Sequence, residues 1–161
     1  VVIRPAVAED HAAIDAVVAA AFAQREEAEL VSALRADGDA LLELVAEEDG
    51  AVVGHILFSP LGTDNGRKLA ALAPLSVQPG RQKDGLGTAL MQEGHRRLAA
   101  MGTEAVIVLG HPAYYPRVGY SAALAKTVAA PFAGPHFMAL ELVPGALAEF
   151  VSITYAKAFG L

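Results

Sequence analysis

The chain has no cysteine. That absence excludes disulfides, thiolate metal sites and a cysteine nucleophile, and it fits a reducing compartment. Basic residues are also few. The 12 Lys and Arg against 18 Asp and Glu leave a formal charge of −6, which argues against a general nucleic-acid binder because phosphate contacts need a basic field. No apolar run approaches the roughly 18 residues of a membrane span. The opening VVIRPAVAED lacks a basic segment followed by an apolar one and a small-residue cleavage site, so no secretory signal is read there. The expectation is a cytoplasmic protein with neither membrane nor nucleic acid as partner. No spacing among the five histidines resembles a zinc site, and no metal is expected. A Gly-x-Ser-x-Gly elbow is missing too, which disfavours a serine hydrolase.

What is present is a sizeable apolar fraction. With 54% hydrophobic and 19% charged residues over 161 positions, the chain is long enough for one core, and residues 1–161 are expected to form a single domain. Val2 to Arg4 reads as a strand ending at Pro5. Asp10 is placed to cap a helix with Ile14, Val17, Val18, Ala21 and Phe22 on one stripe. Residues 24–37 read as a second helix with Leu30, Val31 and Leu34 inward and Glu26, Glu27, Glu29 and Arg35 on the other face. Two strand-like runs, 41–46 and 52–58, flank Asp49-Gly50, a strong hairpin signal. A further strand at 68–77 carries Pro74, which cannot donate to a ladder and predicts a bulge or splay. Helical spacing follows from Gly85, with Leu86, Leu90, Met91, Leu98 and Met101 on one face and Gly102 as the stop. Residues 105–109 are a buried strand, and the strand–helix–strand order calls for parallel pairing. A turn-rich helical piece and two strands complete the chain.

The stretch QPGRQKDGLGTAL, residues 78–90, brings three glycines to the start of that third helix. Gly80 and Gly85 have P-loop spacing, but Leu86 and Gly87 stand where Lys and Ser/Thr are needed. A dinucleotide loop fails because Leu90 occupies the third glycine position. Two readings remain for the loop: a turn that only starts a helix, or a backbone cradle for an anion at a helix N-terminus.

Gln82-Lys83-Asp84-Gly85-Leu86-Gly87 resembles the pyrophosphate loop of GNAT-superfamily N-acetyltransferases, Gln/Arg-x-x-Gly-x-Gly/Ala. Tyr114-Tyr115-Pro116-Arg117-Val118-Gly119-Tyr120 resembles that superfamily's second signature, and the likeness runs from IRPA through EEDGAVVGHILF to VIVLGHPAYYPRVGY. The combination of Gly110-His111-Pro112, the double tyrosine and FMALELVPGAL is most similar to a bacterial subgroup of predicted acetyltransferases. Gln82 replaces the frequent Arg and Tyr120 the frequent Phe. The frequent acidic residue on the strand before the loop has no counterpart in residues 72–77.

The resemblance implies a mixed α/β fold with a bent, splayed central sheet flanked by helices. It also implies acetyl-CoA as donor cosubstrate and a small-molecule or protein amine as acceptor, with direct attack in a ternary complex. Backbone groups of Leu75, Ser76 and Val77 would bind the pantetheine arm, and Gln82, Lys83, Asp84, Gly85, Leu86, Gly87 and Thr88 the pyrophosphate, with Arg81 or Lys83 adding charge. Tyr115 would donate to the departing thiolate, or else simply pack the short helix. His111, at a strand end, is a candidate proton acceptor or a capping residue. Glu29 is a candidate for binding a cationic amine. The alternative from another class is a non-catalytic acyl-CoA-binding or sensing module of the same fold, and a homodimer remains open.

Overall fold

Asp49 and Gly50 both take positive φ, 51° and 79°, the left-handed pair that a tight hairpin turn demands. Around them β2 (Leu42–Glu48) and β3 (Ala51–Thr63) pair antiparallel, with Val45 opposite His55 and Leu44 opposite Ile56. The computed structural model describes residues 1–161 and falls into two compact units. Strands β3 and β4 (Leu69–Val77) and helix α3 (Leu86–Ala100) contribute residues to both.

The first unit comprises residues 1–58 and 73–94. Strand β1 (Val2–Pro5) joins the hairpin antiparallel, placing Arg4 opposite Val45. Helices α1 (His11–Phe22) and α2 (Glu26–Ala36) follow the strand. Their buried residues are Ile14, Val17 and Val18 on α1, and Ala28, Val31 and Leu34 on α2. The part of α3 in this unit packs closely on β3. A β-carbon at Gly94 would fall 2.5 Å from Cε2 of Phe58, and one at Gly54 would fall 3.0 Å from Cδ1 of Leu90. The bare backbones at both positions permit that approach.

The second unit comprises residues 59–72 and 95–161. Here β4 and β5 (Ala105–Leu109) pair parallel, Ala71 opposite Ile107, as the crossover through α3 requires. Strand β7 (Phe137–Glu141) pairs antiparallel with β5, Leu109 opposite Phe137. A two-residue β6 (Val128–Ala129) pairs with β8 (Val151–Thr154), which also pairs with the end of β3. Leu61, Leu69, Ile107, Phe137, Leu147 and Val151 belong to the apolar cluster that this unit buries.

Several local expectations are corrected. Asp10 makes no side-chain cap bond to α1; it is buried, takes a bidentate fork from Arg4 at 2.7 and 2.9 Å, and accepts the Val7 amide. That arginine fork holds its carboxyl at about 2. Phe22 and Met101 are exposed, each at a helix end where the apolar stripe has run out of partners. Leu30 is only half-buried, and Ala28 takes the inward place beside Val31. Strand β3 runs past Phe58 to Thr63, through an exposed Pro60. The short β6 carries no periodic pattern long enough to read from sequence.

Candidate active site

In the first unit the site is built on the end of β4 and the loop into α3. Leu75 and Val77 are half-buried on one side of the strand; Ser76 is buried on the other, and its Oγ has no hydrogen-bond partner. The Gln78 amide donates to Val53 O at 2.9 Å, and the Arg81 amide to Gln78 O at 2.9 Å, which turns the chain away from the strand. Gln82 Nε2 reaches back to Val77 O at 3.3 Å. Gly80, Lys83 and Gly85 all take positive φ, at 91°, 72° and 81°. These left-handed steps coil the loop directly beneath the first turn of α3.

The helix ladder begins with the Ala89 amide donating to Gly85 O at 3.0 Å. The amides of Leu86, Gly87 and Thr88 therefore precede it, and they converge at the positive end of the helix dipole. Amides arranged in this way suit an anion without any cationic side chain. Arg81 does not stand free for this purpose. Its guanidinium forks onto Glu48 at 2.7 and 2.8 Å, and its Nε bonds Asp84 at 3.0 Å. Hydrogen bonding from Arg81 draws the Glu48 carboxyl below its usual range. Of the two expected cations, Arg81 serves to brace the loop against the hairpin, and Lys83 is exposed.

The same unit holds a buried polar cluster that the sequence did not reveal. Glu43 on β2 accepts from Arg35 on α2 at 2.6 Å and lies 2.7 Å from Nε2 of His55 on β3. Burial alone would raise the Glu43 carboxyl, but bonds from His55 and Arg35 outweigh it and bring it down to about 2. Burial also drives the His55 imidazole downward, against the pull of Glu43. Its Nδ1 is buried without a partner. Arg35, read as a solvent-facing residue, instead closes this cluster, because its long stem lets the fork reach inward from a half-buried position. Glu29 is exposed on the first turn of α2.

In the second unit the candidate residues gather at the C-terminal end of β5. The short helix Tyr115–Val118 starts after His111, whose carbonyl accepts the amides of Tyr114 and Tyr115 at 3.1 and 3.3 Å. His111 thus caps this turn through its backbone, and its exposed ring is left for other contacts. The Tyr115 ring lies against Gly110 and meets Tyr114 and Tyr120 edge-on, at 5.1 and 5.7 Å between centroids. Burial, with a smaller push from Tyr114, raises the Tyr115 phenol to about 12, so it stays protonated at neutral pH. Tyr120 is buried and hydrogen-bonded to Nε2 of His95 at 2.7 Å, filling an aromatic packing position.

One residue here was not singled out by sequence. His136, immediately before β7, is brought beside His111 with 6.4 Å between ring centroids. Its Nδ1 bonds the Gly110 carbonyl across 26 positions of sequence. Only the pairing of Leu109 with Phe137 makes that neighbourhood, so no local signal marks it.

Comparison with known proteins agrees with this geometry. A family model described as "Acetyltransferase (GNAT) family" matches residues 6–120. The chain is 42% identical over 105 residues to the uncharacterized N-acetyltransferase YjhQ of Escherichia coli K12, covering 62% of this chain and 58% of that protein. It is 40% identical over 124 residues to YhbS of the same strain, covering 75% and 74%. The chain thus spans little more than half of YjhQ and about three-quarters of YhbS. The crystal structure of YhbS in complex with CoA superposes with a TM-score of 0.91 at 33% identity, covering 99% of this chain and 92% of that one. A GNAT acetyltransferase from Brucella melitensis in complex with acetyl-CoA gives a TM-score of 0.82 at 36% identity, covering 98% and 97%. The glycine loop, the short tyrosine helix and these matches lead to one conclusion: the chain belongs to the GNAT family of acetyltransferases.

Proposed function

We propose that this protein transfers an acetyl group from acetyl-CoA to a primary amine by direct attack within a ternary complex, and that residues 1–161 act as one catalytic domain. The observation that carries the reading is the trio of amides at Leu86, Gly87 and Thr88, ahead of the first helical bond from Ala89 to Gly85. A diphosphate is the group such a cradle suits. The CoA-bound YhbS and the acetyl-CoA-bound Brucella protein, each matched over nearly the whole chain, support the same donor.

The candidate site residues divide the work. Gln82 to Thr88 hold the pyrophosphate through backbone N–H groups, with Gln82 tying the loop to β4 and Asp84 holding Arg81 in place. Leu75, Ser76 and Val77 offer backbone groups to the pantetheine arm. Tyr115 donates its phenolic proton to the departing thiolate. Glu29 attracts a cationic amine. Positioning supplies much of the acceleration, since effective-molarity effects reach about 7 to 11 kcal/mol.

The test is a thermal-shift titration with acetyl-CoA followed by an amine panel read as released thiol. Saturation at about 100 times the dissociation constant stabilises the fold by about 2.7 kcal/mol. A null shift at millimolar acetyl-CoA overturns the proposal. A shift without turnover on any amine replaces it with a binding or sensing module.

A further inference from the structure

A pocket of about 440 Å³ opens at the end of β5, lined by Leu109, Gly110, His111, Ala133 and His136. Its two imidazoles meet edge-on with their planes crossed at 63°, and they are not equivalent. Nδ1 of His136 lies 3.1 Å from the carbonyl oxygen of Gly110. A carbonyl oxygen only accepts, so Nδ1 must carry the hydrogen, and in the neutral ring Nε2 keeps the lone pair. The backbone reinforces the arrangement, because the Gly110 amide donates to the His136 carbonyl at 2.9 Å. Position 136 is therefore pinned to Gly110 twice, once through its ring and once through its main chain. Gly110 also carries the ring of Tyr115 on its bare α-carbon.

We propose that His136 is the proton acceptor for the incoming amine, an inference that rests on the acetyltransferase reading above. A ring whose Nδ1–H is held by a carbonyl presents a basic Nε2 in a fixed direction, which is the requirement for a general base. Leu109 and Ala133 line the pocket beside the two imidazoles. A primary amine that is protonated in neutral water must lose a proton before its nitrogen can attack.

The step balances without any further reactant. An ammonium proton passes to Nε2 of His136, and the freed nitrogen lone pair attacks the thioester carbonyl carbon. The C–N bond forms and the C–S bond breaks with its electron pair leaving on sulfur. The second nitrogen proton is released as the amide forms, and the thiolate takes one proton to become the CoA thiol. His136 returns its proton to solvent, so one ammonium ion and one acetyl-CoA give one amide, one thiol and one proton. His111 lines the same pocket with its ring edge-on to His136, and the base role is assigned to His136 because its Nδ1 is held by the Gly110 carbonyl.

The experiment has two arms. In the first, nitrogen-15 NMR of the unaltered protein at alkaline pH is expected to show His136 as the Nδ1–H tautomer; an Nε2–H tautomer overturns the proposal. In the second, acetyl-CoA and a panel of n-butylamine, cadaverine and lysine amide are followed as released thiol. His136→Gln is expected to lower kcat/KM by about 10²-fold or more, while the acetyl-CoA thermal shift stays as in the unaltered protein. Added imidazole is expected to restore part of the rate in His136→Ala, a response that a structural role would not give. Unchanged turnover in His136→Gln, a fall without imidazole rescue, or an equal or steeper fall in His111→Gln overturns the assignment while leaving the acetyltransferase reading intact. Absence of any acetyl-CoA shift, or turnover on none of the amines, overturns that reading and this inference with it.

Discussion

The ring of Tyr115 rests on the α-carbon of Gly110: a β-carbon there would fall 2.3 Å from Cε2 and 2.9 Å from Cδ2. No real side chain tolerates such contacts. Gly110→Ala is therefore expected to push the phenol away and to destabilise the fold by about 1 to 3 kcal/mol, the usual penalty of overpacking. Urea unfolding measures the penalty, and a change below about 0.5 kcal/mol, the range of ordinary surface substitutions, would show that the ring moves freely.

Tyr115→Phe keeps the packing and removes only the hydroxyl. If the phenol donates to the thiolate, kcat falls by about 10²-fold or more with the acetyl-CoA thermal shift unchanged. Burial raises this phenol to about 12, so no loss of activity from its own ionisation is expected between neutral pH and about 9. Equal kcat for the two proteins, with chemistry rate-limiting, removes the acid role.

At the loop, Gly85 has φ of 81° and open space around its α-carbon. A clash is not what a substitution there introduces; backbone strain is. Gly85→Val is expected to cost about 1 to 2 kcal/mol in a left-handed conformation and to weaken acetyl-CoA binding by shifting the first-turn amides. Isothermal titration checks the affinity, and wild-type binding in this variant would argue that the loop only starts a helix.

Breaking the buried cluster should be costly. Arg35→Leu leaves Glu43, with 10% of its side chain exposed, bonded to His55 alone. Removing one partner of a buried pair typically costs about 3 to 5 kcal/mol, and denaturant unfolding at neutral pH reads it directly. A loss under about 1 kcal/mol would place this pair with ordinary surface bridges.

Acidification acts on the same kind of group in the second unit. Burial lowers His95 from 6.5 to about 4, so the folded protein binds its proton less readily than the unfolded chain does. Its contribution is present above about 6.5 and is lost as pH falls toward 4, by up to about 3 kcal/mol. Glu43, depressed to about 2, adds a further loss between its ordinary range and that value. Stability measured from pH 7 to 4 should therefore decline, and proton NMR should place the His95 titration well below that of an exposed histidine. A midpoint near 6.5 would contradict the burial argument.

Much of the architecture was written locally. Asp49-Gly50 specified a left-handed hairpin turn, Gly85 and Gly87 marked the opening of α3, and the strand–helix–strand order required β4 and β5 to run parallel. These features depend on backbone conformation and on contacts between near neighbours, which residue type and period report directly. The loop proposed to hold pyrophosphate belongs to the same class, since its free donors are main-chain amides of consecutive residues.

Other features were decided by distance in sequence. Arg35, Glu43 and His55 come from a helix and two strands, and only strand register with helix packing puts their charges together. Arg81, one of two cations beside the glycine loop, is paired with Glu48 only because the hairpin brings that carboxylate to it. His136 gained its place beside Gly110 and His111 through the pairing of β7 with β5. The sequence by itself determined the fold class and the glycine loop that opens α3, because local conformation and a contiguous motif encode both. The tertiary structure alone decided which ionisable groups are buried, paired or left with a directed lone pair, because those properties belong to contacts between segments that no period or spacing connects.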